Sequence, residues 1–527
     1  MSFQIYELIH AITRLKSRQV FFLLFYRIFR FKRILSFTKN NSTLRYLKPS
    51  RLNLEKTTRI TRDQITIGNL NINLTINDLE NYMNITHLNS FTVSYFDWLD
   101  HSNVEFIDID LHFIKLLANK RGANFSWHPY VSSLRMVNLL KWVMRFGDQL
   151  NEVAREEVNL LIAVHVSRVY QRLELDIDAN HLFENLRSLS LVEFLSSSEK
   201  GHNTRGFLSL LENQFTHEGL YYEKSTVYNF RILFALCEYH EIIVKSSRVC
   251  KEDLRFIENT ISRLRRAINK FYLAEPIFYY NDSMPQILNF ELADILDKGK
   301  EINVPARISI NYDHCLGLCR MTSGMLDLFV DDGRIRPWFQ SGHCHSKFAE
   351  VILNINDKRV ITTGATTTYE DGSLRFIEKG QEQKSNFFIK GSEIHNIIKS
   401  FRFGRVSNIT SSVTGQALTC KLNHYNGQNL SREISIESDR ICIRDLTGDS
   451  TQCVETKYIF DEYIKIQLAT NTCLVMNKDA ESICTMHFRN INEDTTPIKI
   501  KLCEMENSIT IKHCSMETWV INDACTT

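Results

Sequence analysis

The chain has 527 residues, of which 43% are hydrophobic, with 7 prolines, 19 glycines and a formal net charge of +2. That length exceeds what one hydrophobic core supports, so two or three folded domains are expected. The low proline and glycine content excludes a disordered or fibrous chain.

Charge is uneven along the sequence. Residues 1–62 hold 14 Lys/Arg against Glu7 and Glu55, a balance of +12, which leaves −10 for residues 63–527. Phe21, Phe22, Leu23, Leu24, Phe25, Phe29 and Phe31 alternate there with arginines and a lysine. This basic amphipathic segment suits peripheral contact with an anionic membrane, and equally a helix packed on the body of the protein with its arginines solvated. Nucleic acid is not an expected partner, because the rest of the chain is acidic and shows no recognition module. No apolar run reaches the roughly 18 residues of a spanning helix, and the opening lacks the order of a secretory signal. A cytoplasmic protein is therefore expected, with a peripheral place at the inner membrane face the alternative. The 13 cysteines are odd in number, without a CxxC pair, and fit reduced thiols; Cys315 and Cys319 read as two unrelated thiols.

From about residue 85 to 275 apolar residues recur at helical spacing, as in Leu134, Val137, Leu140 and Val143, and again in Leu160, Ile162, Val166 and Val169. After Pro305 the texture changes to short runs rich in Ile, Val, Thr and Phe, separated by turn signals such as Asp331-Asp332-Gly333 and Glu370-Asp371-Gly372. FAEVILNI and RVITTG, flanking Asn356-Asp357, read as a hairpin. Helices first and antiparallel strands second define an α+β multidomain chain. The expected boundaries are 1–62 for the basic segment, 63–290 for the helical domain, 291–304 for a linker and 305–527 for a β-sandwich.

Four blocks carry a family resemblance over roughly residues 10–410. They are SYFDWLDHS with SWHPYVSSLRMVNLLKWV, then DANHLFENLRSL, then HEGLYYEKSTVYNFRILFAL, and finally GHCHSKFAEVILNINDKRVITTGATTTYEDGSLRF followed by FRFGRV. In order and spacing they resemble the heparinase II/III-like proteins of the polysaccharide-lyase superfamily. The basic opening resembles the branch encoded with capsule and lipopolysaccharide genes. The resemblance implies an N-terminal (α/α) toroid of helical hairpins, a C-terminal antiparallel sandwich, and β-elimination on a uronic-acid-containing acidic polysaccharide.

β-Elimination must neutralise the uronate carboxylate, remove the C5 proton and protonate the leaving O4. By the resemblance, Asn180 and His181 hold the carboxylate, Tyr228 exchanges protons with O4 and C5, and His343 reaches the cleft from the sandwich. Glu184, three residues beyond His181, is expected to share a helix face with it and orient it. The family follows its tyrosine with histidine and has Ser-Pro earlier in the motif; here Asn229 and Ser225-Thr226 stand instead, which puts a relay through that histidine in doubt. Arg135 is a candidate for pairing with uronate or sulfate, or a buried structural arginine. Trp127, Tyr130 and Trp338 are candidates for sugar stacking, or for packing.

The second histidine of the H-x-H pair, His345, belongs in the family to a metal site. Here Lys347 replaces the acid of that motif, Thr362 or Thr363 stands before Gly364, and Lys384 falls where an imidazole belongs. Two lysines are wrong for a metal, so neither zinc nor another cofactor is expected, and His345 would serve only a degenerate site. Two further readings stay open: a non-catalytic scaffold binding glycan or an assembly partner, and a glycoside hydrolase using two of Asp97, Asp100, Glu184 and Glu223.

Overall fold

The computed structural model describes residues 2–28, 59–61, 64–67, 70–73, 94–101, 107–119, 127–196, 201–245, 249–274, 276–284, 288, 292–296, 308–448, 454–491, 499–503, 507–513 and 515–522. Phe29, Arg30, Phe31, Lys32 and Arg33 of the basic segment, and 297–304 of the expected linker, lie outside the described residues.

Two helices open the chain, α1 (Ser2–Thr13) and α2 (Ser17–Ile28), followed by a three-stranded antiparallel sheet between residues 59 and 73 that the sequence pattern did not suggest. The helical domain continues with α3 (Ile107–Asn119), α4 (Pro129–Phe146), α5 (Glu152–Gln171), α6 (Ala179–Ser196), α7 (His202–Asn213), α8 (Thr226–Lys245) and α9 (Lys251–Phe271). Helix α4 starts where the chain dictates: Pro129 sits in its first turn, and the His128 ring accepts from the Tyr130 N–H. It is buried almost all round, packing against α5 and α6, while α6 packs on α7 and α8 on α9. Helix α9 buries Ile257, Ile261, Leu264, Ile268 and Phe271 along one stripe, which is why its other face tolerates Lys and Arg. In α5 the expected apolar series breaks at Leu160, which is exposed, while Ile162, Val166 and Val169 are buried; an interval of two residues changes helix face.

After a single helical turn α10 (Leu292–Ile295), two antiparallel sheets form the sandwich. One runs Lys499–Cys503, Ser508–His513, Val454–Phe460, Lys358–Thr362, Glu350–Ile355, Leu326–Asp331, Leu318–Ser323, Ser309–Asp313, with Phe387–Phe388 added against Val454–Phe460. The other runs Asn408–Thr414, Ala417–Asn423, Asn429–Ile436, Arg440–Thr447, Ser515–Asn522, Ser482–Asn490, Thr472–Met476, Lys465–Leu468. The predicted hairpin pairs Ile355 with Lys358 across Asn356 and Asp357, both at positive φ, the backbone a two-residue turn between twisted strands requires. Gly333 has φ +94, and a Cβ there would lie 2.2 Å from the Lys347 carbonyl, so the turn after Asp332 needs glycine.

The central strands of the first sheet are buried on both faces. Leu318, Phe329 and Ile352 join the helical core, whereas their neighbours Cys319, Val330 and Val351 join the core between the sheets. The two-residue period of a strand thus divides one sheet between two cores. A short helix α11 (Ser373–Lys379) and a ribbon of His395–Lys399 with Arg402–Val406 lie beside this junction.

Helices α1 and α2 are tied to both halves. Glu7 Oε1 pairs with Arg405 Nε at 2.5 Å and Arg14 Nη2 donates to the Gly404 carbonyl at 2.6 Å, while Lys16 and Arg18 reach Asp178 Oδ2 at 3.1 and 3.0 Å. Tyr26 donates to the Leu173 carbonyl at 2.7 Å. Of the two readings of this segment, the described part supports a helix pair packed on the body. Among the described residues, no helix is long and apolar enough to cross a membrane.

Candidate functional site

The loop Glu223–Ser225 and the first turns of α8 lie where the helices meet residues 282–283 and the start of the sandwich. The Ser225 hydroxyl donates to the Asp282 carbonyl at 2.8 Å, and Ser283 Oγ accepts from the Thr226 N–H at 3.1 Å, so a distant segment caps the helix. Asn229 Oδ1 accepts from the Tyr221 N–H at 2.9 Å and its Nδ2 donates to the Ser225 carbonyl at 2.9 Å. At the position where the resemblance implied a histidine, this chain has a fully buried amide occupied by backbone, which fixes the loop and cannot carry a proton.

Beside this loop the Tyr228 and His343 rings meet with centroids 3.9 Å apart, joining toroid to sandwich. His343 Nε2 lies 3.7 Å from Glu223 Oε1. Neither Glu223 oxygen has a hydrogen-bonding side chain among the described residues, and burial pushes the carboxyl up to about 8, which the nearby Asn180 backbone N–H only tempers. Burial also holds the Tyr228 phenol well above 10 and the His343 imidazolium below its usual range. One turn from Tyr228, Arg231 donates to Tyr130 Oη at 3.3 Å, and the Tyr130 ring lies 4.6 Å from His181. Asn180, its Oδ1 buried and without a hydrogen-bond partner among the described residues, adjoins His181 in the first turn of α6. The groups therefore close a ring: His181, Tyr130, Arg231, Tyr228, His343, Glu223, Asn180.

A second layer fixes His343. Asp282 accepts from His343 Nδ1 at 3.0 Å, from His345 Nε2 at 2.7 Å and from Arg375 Nη2 at 2.7 Å. Burial alone would raise that carboxyl, but Arg375 and the two imidazoles hold it well below the usual range. With Nδ1–H directed at Asp282, the lone pair of His343 is left on Nε2.

The expected metal residues do not fit a cation. Lys347 Nζ sits 2.5 Å from Glu350 Oε2 and 2.9 Å from Asp331 Oδ2, and Lys224 Nζ sits 2.5 Å from Asp331 Oδ1. The Lys384 ammonium donates to the Gly364 carbonyl at 3.1 Å, and burial lowers it to about 8. The carboxylates a dication would need are held by ammonium groups, and His345 is turned to Asp282.

Other expected site residues lie elsewhere. Glu184 faces Arg187, 2.7 Å away, rather than His181, and continues through Glu238 and Lys141 to Asp100 in a buried ion chain of the toroid. His181 is instead held by Glu174, with Oε1 2.8 Å from Nδ1. A helical spacing of three allowed either partner, and Arg187, one turn beyond Glu184, took it. Arg135 is fully buried, donates to the Ser94 carbonyl at 2.9 Å and lies over Phe96, with burial lowering it to about 9; it does not join the ring. Trp127 stacks on His165, and Trp338 is exposed beside Phe339. Of the hydrolase carboxylates, Asp97 accepts from Asn138, Asp100 and Glu184 are ion-paired, and only Glu223 faces the cleft.

Arg231, Glu174, Asp282 and Arg375 were not singled out from sequence. Arg231 was the findable one, because it lies three residues after Tyr228 on a helix. Asp282 carries no signal, since it acts from an irregular segment whose partners are 61 to 93 residues away.

A helical toroid followed by a two-sheet antiparallel sandwich is the fold this chain shares with solved heparinase structures. Among solved structures, the chain is similar to heparinase III, with a TM-score of 0.62 and 11% identity over 83% of this chain and 76% of that one. It is also similar to the heparan sulfate lyase HepC from Pedobacter heparinus, with a TM-score of 0.55 and 11% identity over 87% and 81%. A further heparinase III gene product gives 0.55 and 12% over 84% and 76%. At these identities the likeness establishes the fold. No protein-family model and no curated protein matches the sequence.

Proposed function

We propose that the protein is a polysaccharide lyase that cleaves a uronic-acid-containing acidic polysaccharide by β-elimination without a metal. The observation that carries this is the contact of Tyr228 with His343 inside a ring that also supplies an amide, an imidazole and a guanidinium. Asn180 and Arg231 hold the uronate carboxylate and offset its charge, which acidifies C5, with His181 beside them. His343, kept neutral by burial and held through Nδ1, takes the C5 proton at Nε2. Tyr228, protonated because its phenol is buried, donates to the departing O4. The resemblance of the basic opening segment supports a role in surface-polysaccharide metabolism on the cytoplasmic side. Exposed Leu8, Ile9, Phe21 and Leu24 support peripheral contact of α1 and α2 with an anionic membrane.

The test is ultraviolet absorbance of the unsaturated uronate formed from a panel of acidic polysaccharides. Turnover by the wild type, with kcat lowered about 100-fold or more in Tyr228→Phe, is expected. Silence across the panel with glycan binding retained would replace this reading by a non-catalytic glycan-binding scaffold, and new reducing ends without a double bond would replace it by a hydrolase.

A further inference from the structure

Where α4, the loop after α5 and α6 converge, two imidazoles and a carboxylate meet at the edge of the cleft. Among the described residues, the ligand atoms of His128, Glu174 and His181 all lie within 4.8 Å of one another. Glu174 Oε1 is 2.8 Å from His181 Nδ1 and 3.6 Å from His128 Nε2. The carboxylate is only 1% exposed, whereas the imidazoles are 31% and 26% exposed, so the group has a buried back and an open front. Its orientation is fixed from behind: Asn185 Nδ2 donates to Glu174 Oε2 at 3.0 Å, and Asn185 Oδ1 accepts the Glu174 N–H at 3.0 Å. An outer hydrogen bond of this kind is what holds a ligating carboxylate in place.

The contrast with the lysine-filled acids of the sandwich is direct. Here the nearby cations are committed elsewhere, Arg168 Nε to the Trp127 carbonyl at 2.7 Å and Arg172 to both oxygens of Asp176 at 2.6 and 2.8 Å. Two nitrogens and one oxygen with an open fourth position are the donor set of a zinc-type ion. We infer that His128, Glu174 and His181 form a binding site for a divalent transition metal that sets the tautomer of His181. Ligation through His128 Nε2 moves that ring proton to Nδ1, exchanging a long 3.3 Å bond from the Tyr130 N–H for a metal–nitrogen bond.

The consequence for the cleft follows from where the His181 proton sits. With Nδ1–H donated to Glu174, the nitrogen left for the cleft, Nε2, is a lone-pair acceptor and repels a carboxylate. With a metal on Nδ1, the ring proton moves to Nε2, which becomes a donor for the same carboxylate. Metal therefore tightens uronate binding, a consequence that rests on the lyase reading, whereas the site itself does not.

Cobalt(II) is the probe, because its visible absorption reports coordination without any activity, and zinc should displace it. One equivalent should bind the full-length wild type, and His128→Asn, which keeps an acceptor at the start of α4, should weaken it roughly 10–100-fold. Glu174→Gln should weaken it likewise. Absence of a cobalt spectrum, or equal binding by a folded His128→Asn, overturns the site. Where turnover is measurable, zinc should lower KM in the wild type and leave it unmoved in His128→Asn. Cobalt binding without any lyase activity would leave the site standing and fail the function alone.

Discussion

Glu223 and Lys224 are neighbours in the chain and equally buried, at 1% exposure each, yet they enter opposite environments. Lys224 turns into a cluster in which its charge, and that of Lys347, meets Asp331 and Glu350 at 2.5–2.9 Å. Glu223 turns into the cleft, where both oxygens lack a hydrogen-bonding side chain among the described residues. A buried charge with full partners holds structure in place, while a buried polar group left open keeps capacity for a ligand. His345 and His343 repeat the pattern, one fully buried against Asp282 and the other reaching Tyr228 and Glu223.

The sharpest way to break this comparison is to remove the ammonium from the paired cluster. Lys347→Met removes the ammonium partner of Glu350 and leaves Asp331 with Lys224 alone, and should cost about 3–5 kcal/mol in urea unfolding. Added zinc should not restore it. A loss below about 1 kcal/mol would mean the cluster does not hold the junction.

The open cluster should respond in the opposite sense. The Glu223 carboxyl, ordinarily near 4.5, is raised to about 8 in the folded protein, so the native state retains a proton that the unfolded chain has released. Its contribution to stability is full below 4.5 and is lost as pH rises to 8, by at most about 1.4 kcal/mol per pH unit. Glu223→Gln keeps the shape and removes the titration. Melting temperatures from pH 5 to 9 should therefore fall less steeply in the variant, and parallel curves would refute the protonated carboxyl.

The smallest effect is expected at the strap of α1 and α2. Lys16 and Arg18 both reach Asp178, but their side chains are 40% and 44% exposed, so solvent screens the pairs. Replacing both by alanine should lower stability by only about 1 kcal/mol or less, measured in the same urea assay. A larger loss would place Asp178, whose φ of +67 begins the strained turn before Asn180, among the supports of the site.

Much of the architecture was legible because it rests on period and punctuation. The spacing in α4 and the Asn356-Asp357 turn each point to one local structure. Side-chain partnerships were less legible: Glu184 and Glu174 are both carboxylates within a few residues of His181, and the choice between them depends on Arg187 and Asn185. Asn229 and Lys347 could be seen to depart from the family pattern. What replaced the lost groups, a backbone-saturating amide and an internal counter-cation, required the packing to be seen.

The division of one sheet between two cores has a further meaning. Because Phe329 and Ile352 belong to the helical core while Val330 and Val351 belong to the sandwich core, neither half owns its inner wall. A cut between the helices and the strands would leave one fragment without a lid and the other with a bare apolar face. The two lobes are thus halves of one heritable unit, whose cleft cannot be transplanted by moving either lobe alone.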